Sequence, residues 1–139
     1  MKKIAYLMTL AALICAGCEL DTSDSGRFEG LWKMQGVDSL ANGKHVDMTQ
    51  AQVAYAFQSK LLQLRGGGAS VFCRFEQKGD SLILSDPRKA GSDNPPVESL
   101  DVLRPYGFTD FRMPFHIDLL NGKRMILSSD EVRLHFDKY

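Results

Sequence analysis

The sequence predicts an all-β fold, an antiparallel meander that closes into a β-barrel of about eight strands. Short runs of β-branched and aromatic residues recur about every ten residues, and Gly, Asn, Asp or Pro separate them. The last three runs each have one apolar face, which a sheet must cover. A chain of 139 residues with 44% hydrophobic residues has the size of one domain. A small β-sandwich is the alternative.

Nine segments fit the strand pattern. We predict strands near residues 28–40, 45–48, 52–58, 61–65, 70–77, 81–85, 111–120, 123–128 and 131–138. Asn42-Gly43 and Asn121-Gly122 lie between such segments, and Asn-Gly is typical of tight hairpin turns. Lys78-Gly79-Asp80 predicts a further hairpin. Closing this meander into a barrel also removes exposed strand edges.

The alternation is clearest in the last three strands, where apolar residues share one face and polar residues share the other. The apolar face contains Phe115, Ile117, Leu119, Met125, Leu127, Val132, Leu134 and Phe136. The polar face contains His116, Asp118, Arg124, Arg133, His135 and Asp137.

One long segment, residues 86–110, interrupts the meander with four prolines. Asn94-Pro95 is typical of a helix start, and Pro105 ends a helix at Arg104. We therefore predict one short helix in this loop. Its apolar residues and those that follow it are Val97, Leu100, Leu103, Tyr106 and Phe108. They form either a lid over an internal cavity or a plug that fills the barrel.

The first 17 residues predict a signal peptide, because a basic start (Lys2, Lys3) precedes thirteen mostly apolar residues. That run is too short to span a bilayer. Cys15-Ala16-Gly17-Cys18 resembles a bacterial lipobox, with Cys15 where Leu is usual. The resemblance implies that Cys18 is lipidated and becomes the mature N-terminus. Ordinary signal cleavage, which leaves a plain thiol at Cys18, is the alternative.

Residues 18–27 predict a flexible tether, since they are rich in Asp, Ser, Thr and Gly. The barrel domain then spans residues 28–139. The acidic start of the tether resembles export signals of lipoproteins from Gram-negative gut anaerobes. We expect a cell-envelope protein that is lipid-anchored to the outer membrane, in either leaflet.

The first strand contains Gly30-Leu31-Trp32, which resembles the Gly-x-Trp motif near the start of lipocalins. With the lipobox and the run from Phe115 to Phe136, the chain resembles small lipocalin-like lipoproteins of gut anaerobes. The resemblance implies a lipocalin-like barrel in which Trp32 packs across the closed end against an Arg of the final strand. Arg133 is the counterpart that we expect.

Two function classes follow. The first is a carrier of a small hydrophobic ligand, lined by Tyr55, Phe57, Phe115, Ile117 and Phe136 and covered by Leu100, Leu103 and Tyr106. The alternative is a solid structural or interaction domain, which engages another envelope protein through the long loop or the outer sheet face.

Other classes lack support in the sequence. The 17 basic and 17 acidic side chains leave no net charge for nucleic-acid binding. We expect no cofactor, no metal and no enzymatic activity, because no catalytic motif is present and His45, His116 and His135 lack metal-ligand spacing. Cys73 is expected to be a small buried hydrophobic residue. Asp38-Ser39-Leu40 and Asp80-Ser81-Leu82 resemble O-glycosylation acceptors of some gut anaerobes.

Overall fold

The computed structural model describes residues 27–68 and 70–139, and it confirms the all-β barrel. The predicted signal peptide, Cys18 and the tether as far as residue 26 lie outside the described residues. The strands are β1 (Gly30–Ser39), β2 (His45–Asp47), β3 (Ala54–Gln58), β4 (Leu61–Arg65), β5 (Val71–Lys78), β6 (Ser81–Lys89), β7 (Met113–Leu120), β8 (Arg124–Ser128) and β9 (Val132–Lys138).

All strands pair antiparallel in one sheet, and β9 returns to pair with β1. This last pairing closes a barrel of eight strands, so the β-sandwich alternative is wrong. The extra strand, β2, extends the edge of β1 beyond β3. Residues 30–33 of β1 pair with β3, whereas residues 36–38 pair with β2.

The barrel has two distinct ends. We call the end where the described chain begins the tether end, and the opposite end the loop end. The tether end comprises residues 27–30, 59–61, 76–81, 119–124 and 137–139. The loop end comprises residues 40–53, 65–68, 88–112 and 129–131.

Aromatic side chains fill the barrel interior in one continuous cluster. The ring centroids of Tyr55 and Phe136 are 4.7 Å apart, and those of Phe57 and Phe75 are 5.0 Å apart. Phe28, from the segment before β1, packs on Phe57 at 5.3 Å. Each of these large rings buries more apolar area than an aliphatic side chain, so the rings contribute strongly to the hydrophobic stabilisation of the domain.

Trp32 seals the tether end, although its partner differs from the one expected. Its indole Nε1 donates a hydrogen bond to the Phe28 carbonyl at 2.8 Å. Lys138, which pairs with Trp32 across β1 and β9, places its Nζ 5.2 Å from the ring centroid. The predicted Arg133 counterpart is wrong, because Arg133 pairs opposite Asp38 on the outer face.

The long loop contains two 3-10 turns, Leu100–Val102 and Arg104–Tyr106, in place of the predicted helix. The start of the predicted helix is instead extended and bonded to β6. The Lys89 amide donates to the Pro95 carbonyl, and the Val97 amide donates to the Pro87 carbonyl, both at 2.9 Å. Seven residues then remain before Pro105, and they form short 3-10 turns.

This loop is part of the core. Leu103, Tyr106 and Phe108 are buried, and the Tyr55 hydroxyl donates a hydrogen bond to the Tyr106 carbonyl. The Tyr106 hydroxyl accepts a hydrogen bond from the Gly67 amide at 3.1 Å. A Cβ at Gly67 would lie 2.8 Å from the Tyr106 ring, so only glycine admits the ring this closely.

The predicted apolar face of β7 is wrong beyond Ile117, because the strand contains a β-bulge there. The register with β8 shifts between Ile117 and Leu119, and this shift reverses the side-chain alternation that follows. Leu119 is therefore 37% exposed, and Leu120 packs against the core instead.

Two leucines of the long loop test its role as a plug. Leu103→Ala should lower the free energy of unfolding by about 2–5 kcal/mol, because it leaves a cavity in the core. The same change at half-buried Leu100 is the matched control and should cost about 1 kcal/mol or less. Urea denaturation of both variants measures the difference. Equal and small losses of unfolding free energy in both variants would instead show that the loop is a dispensable lid.

Candidate functional site on the outer face of the barrel

The residues predicted to line a ligand cavity lie inside the barrel and contact one another. Tyr55, Phe57, Phe115 and Phe136 are buried, and Ile117 is half-buried against the same cluster. Burial raises the pKa of the Tyr55 hydroxyl well above its usual value, and the nearby Cys73 raises it further. Side chains therefore occupy the volume in which a lipocalin-type ligand would sit.

The predicted lid residues seal the loop end. Leu103 and Tyr106 are fully buried beneath the long loop, while Leu100 packs at the edge of the core. Phe108 lies 6.4 Å from the Phe115 ring, edge to face. The long loop thus joins the interior cluster.

Cys73 is buried on β5 and forms no disulfide. Burial, and secondarily the charge of Asp86, raise the pKa of its thiol to about 12. The thiol is protonated at neutral pH and therefore a poor nucleophile.

The polar side chains that the fold brings together lie outside the barrel, where β2, β1 and β9 run side by side. The Asp38 carboxylate on β1 is hydrogen-bonded to two histidines, one at each oxygen. Oδ1 is 2.5 Å from His45 Nδ1 on β2, and Oδ2 is 2.7 Å from His135 Nε2 on β9. Asp38 thus ties the extra strand β2 to the strand that closes the barrel.

A β-bulge at Gln35 makes this cluster possible. The register between β1 and β9 shifts between Met34 and Gly36, so the residues that follow exchange faces. Gly36 then lies beneath the His45 ring, where a Cβ would be 2.5 Å from the imidazole Cε1. The bulge and the absence of a side chain at Gly36 together allow His45 to reach Asp38.

A second cluster surrounds Asp118, at the bulge in β7. Asp118 Oδ1 is 2.7 Å from His116 Nδ1 and accepts a hydrogen bond from the Ser128 hydroxyl at 2.8 Å. Arg133 on β9 donates from Nε to Asp118 Oδ2 at 3.1 Å. Because Arg133 also pairs opposite Asp38, the two clusters adjoin on the sheet.

We call this surface the histidine face and define it by Asp38, His45, His135, Asp118, His116, Ser128 and Arg133. A groove of about 500 Å³ borders it, between β7 and the turn that joins β8 to β9, and His116 and Ser128 line both. Each carboxylate of the face already has partners on two other strands, so its side chains are held in place before any partner arrives.

The hydrogen bonds of the histidine face also lower the pKa values of its two aspartates. Hydrogen bonds from His45 and then His135 lower the pKa of Asp38 below its ordinary value. Partial burial acts to raise the pKa of Asp118, but His116, Ser128 and Arg133 outweigh it and the net shift is downward. Among residues 27–68 and 70–139, no group of His, Cys, Asp or Glu side chains is arranged to hold a metal ion.

The alternation of β7 and β9 placed His116 and His135 on the polar face, as the structure does. The pairing with Asp38 was missed, since Asp38 and His135 are 97 residues apart. Only the register of the closing strands could have revealed it, and no local motif encodes that register.

Residues 12–139 of the chain match the family described as lipocalin-like domain. The chain belongs to this family. The lipocalin-like chain also resembles two solved structures. A lipocalin-like protein from Bacteroides uniformis has 18% identity and a TM-score of 0.63, covering 82% of this chain and 100% of its own.

An uncharacterised protein from Bacteroides eggerthii has 20% identity and a TM-score of 0.58, covering 81% of this chain and 99% of its own. Identities this low relate the lipocalin-like chain to both proteins by fold alone. No curated protein matches it.

The lowered pKa of Asp38 predicts the pH dependence of its stabilising effect. The folded pKa lies below the ordinary value of 3.8, so the contribution is present above that pH and is lost as pH falls through the folded pKa. The stability advantage of wild type over Asp38→Asn should therefore shrink between pH 5 and pH 3, in urea denaturation.

The matched control is Asp93→Asn, which removes an exposed carboxylate that has no ion pair within the described residues. Its effect should change less over the same pH range. An Asp38→Asn effect as large at pH 3 as at pH 5 would contradict the assigned role of the carboxylate.

Proposed function

We propose that this lipocalin-like protein is a lipid-anchored interaction domain of the cell envelope, which acts through its outer surface. The observation that carries the proposal is the filled and sealed barrel. Trp32 and Phe28 cover one end of the core, and the long loop covers the other. A small apolar ligand would have to displace packed aromatic rings, at a cost of several kcal/mol.

The histidine face is the surface that we assign to the partner, a second protein of the envelope. Side chains from five neighbouring strands converge there, and two carboxylates hold them in fixed positions. Pre-ordered side chains lose little conformational entropy on binding, which favours recognition of another folded surface. His45, His116 and Arg133 remain exposed enough to contact it.

The anchor in this proposal is Cys18, supported by the resemblance of Cys15-Ala16-Gly17-Cys18 to a lipobox. Within residues 27–68 and 70–139, no helix is both long and apolar enough to cross a membrane. Acyl chains on Cys18 would hold the domain at the membrane, since each buried methylene contributes about 0.8 kcal/mol.

Metabolic labelling with palmitate in a bacterial host that processes lipoproteins tests the anchor. Wild type should incorporate label and sediment with membranes, whereas Cys18→Ser should do neither. Cys73→Ala is the control and should keep both properties, because its thiol is buried in the core. Unlabelled wild type, or label retained by Cys18→Ser, would overturn lipidation at this position.

Ligand binding inside the barrel is tested with the mature chain carrying Cys18→Ser. We expect native mass spectrometry to give the mass of the polypeptide alone, and titration with a fluorescent palmitate analogue to show no saturable binding. A bound molecule that solvent extraction removes, or saturable 1:1 binding of the probe, would overturn the solid-barrel proposal in favour of a carrier.

Photo-crosslinking in intact cells tests the histidine face. A photoreactive residue at Ile126, which pairs opposite His135 across β8 and β9, should trap one discrete envelope protein. The same residue at Arg74, on another wall of the barrel, is the matched control and should not. The product should be lost in an Asp38→Asn, Asp118→Asn double variant that still folds. Equal products from both positions would exclude the histidine face as the contact surface.

A further inference from the structure

Exposed basic side chains mark every strand connection at the tether end. Lys60 follows β3, Lys78 precedes the turn after β5, and Lys123 precedes β8. The start and the end of the barrel add others, which are Arg27, Arg124 and Lys138. The tether end therefore has six basic side chains against four acidic ones, Glu29, Glu76, Asp80 and Asp137.

The charge balance differs at the loop end, where seven acidic side chains face six basic ones. At the tether end two of the acidic side chains have basic partners there, since Glu76 lies 3.8 Å from Lys78 and Asp137 lies 3.9 Å from Arg124. Lys60 and Lys123 have no carboxylate within 4 Å in the described part of the chain, so their charges are available to an external anion.

Large apolar side chains lie exposed among these lysines. Leu61 is 50% exposed at the start of β4, Leu119 is 37% exposed near the end of β7, and Tyr139 is 73% exposed after β9. Basic residues interspersed with leucine and an aromatic residue are typical of surfaces that contact the interface of a bilayer.

The proposed anchor at Cys18 would bring this same end to the membrane. Arg27 donates from its guanidinium to the Leu120 carbonyl at 3.1 Å, which fixes the entry of the chain beside the turn after β7. Eight residues lie between Cys18 and Arg27, so the chain from one to the other can span at most about 30 Å. An anchor at Cys18 therefore holds the tether end within reach of the lipid headgroups.

We propose that the tether end is a membrane-contact surface, which rests on anionic phospholipid headgroups through Lys60 and Lys123. This proposal rests on the lipid anchor of the proposed function, which supplies the proximity. Contact at this end turns the loop end away from the membrane and holds the histidine face on the side wall, open to a partner.

Vesicle sedimentation without the anchor tests this surface. The mature chain with Cys18→Ser, which keeps every described residue, is mixed with phosphatidylcholine vesicles that contain or lack phosphatidylglycerol. We expect binding at low ionic strength to the anionic vesicles only, weakening as salt rises. Lys60→Glu with Lys123→Glu should lower the partition coefficient by about thirtyfold or more.

The matched control is Lys44→Glu with Lys89→Glu, which makes the same charge change with two exposed lysines at the loop end. It should change the partition coefficient less than twofold. Equal losses in the two variants, or no binding of the parent to anionic vesicles at low salt, would overturn the proposal. Palmitate labelling is a separate readout, so failure here is distinguishable from failure of the anchor.

Discussion

The pairing of β1 with β9 is the constraint on which the rest of the structure depends. It closes the barrel. It also places Lys138 over Trp32 near the start of β1, and His135 beside Asp38 near the end of β1. The facing edges of β1 and β9 are thereby hydrogen-bonded to each other and are not open to pairing with another chain. The sealed core and the histidine face are two results of one register.

That register depends on residues that depart from regular alternation. The bulge at Gln35 turns Asp38 outward, whereas Asp118 lies on the outer face by regular alternation, directly at the bulge in β7. Without the bulge at Gln35, regular alternation would turn Asp38 toward the core. The candidate site is therefore a product of irregularities, as is common where β-sheets present functional side chains.

Most of the fold followed from the sequence because alternation and turn chemistry are local signals. All nine strands were predicted within a few residues, and Asn42-Gly43 forms a turn with Gly43 at positive φ. The helix and Leu119 were predicted wrongly for a shared reason. Pairing of residues 95–97 with β6, and the bulge beside Leu119, both arise from contacts with other strands. His45 reaches Asp38 across the Asn42-Gly43 hairpin, but His135 comes from 97 residues away, so no local pattern could reveal the second contact.

The order of the strands along the chain also has a kinetic consequence. Most neighbouring strands are joined by short connections, so their pairing closes small loops. The contact between Asp38 and His135 instead closes a loop across 97 residues, and the entropic cost of closure grows with loop length. Tyr139 nevertheless donates its amide to the Leu31 carbonyl at 3.0 Å. The described chain thus ends beside its first strand, and a connection between the two would turn the pairing of β1 with β9 into one more hairpin with a short loop.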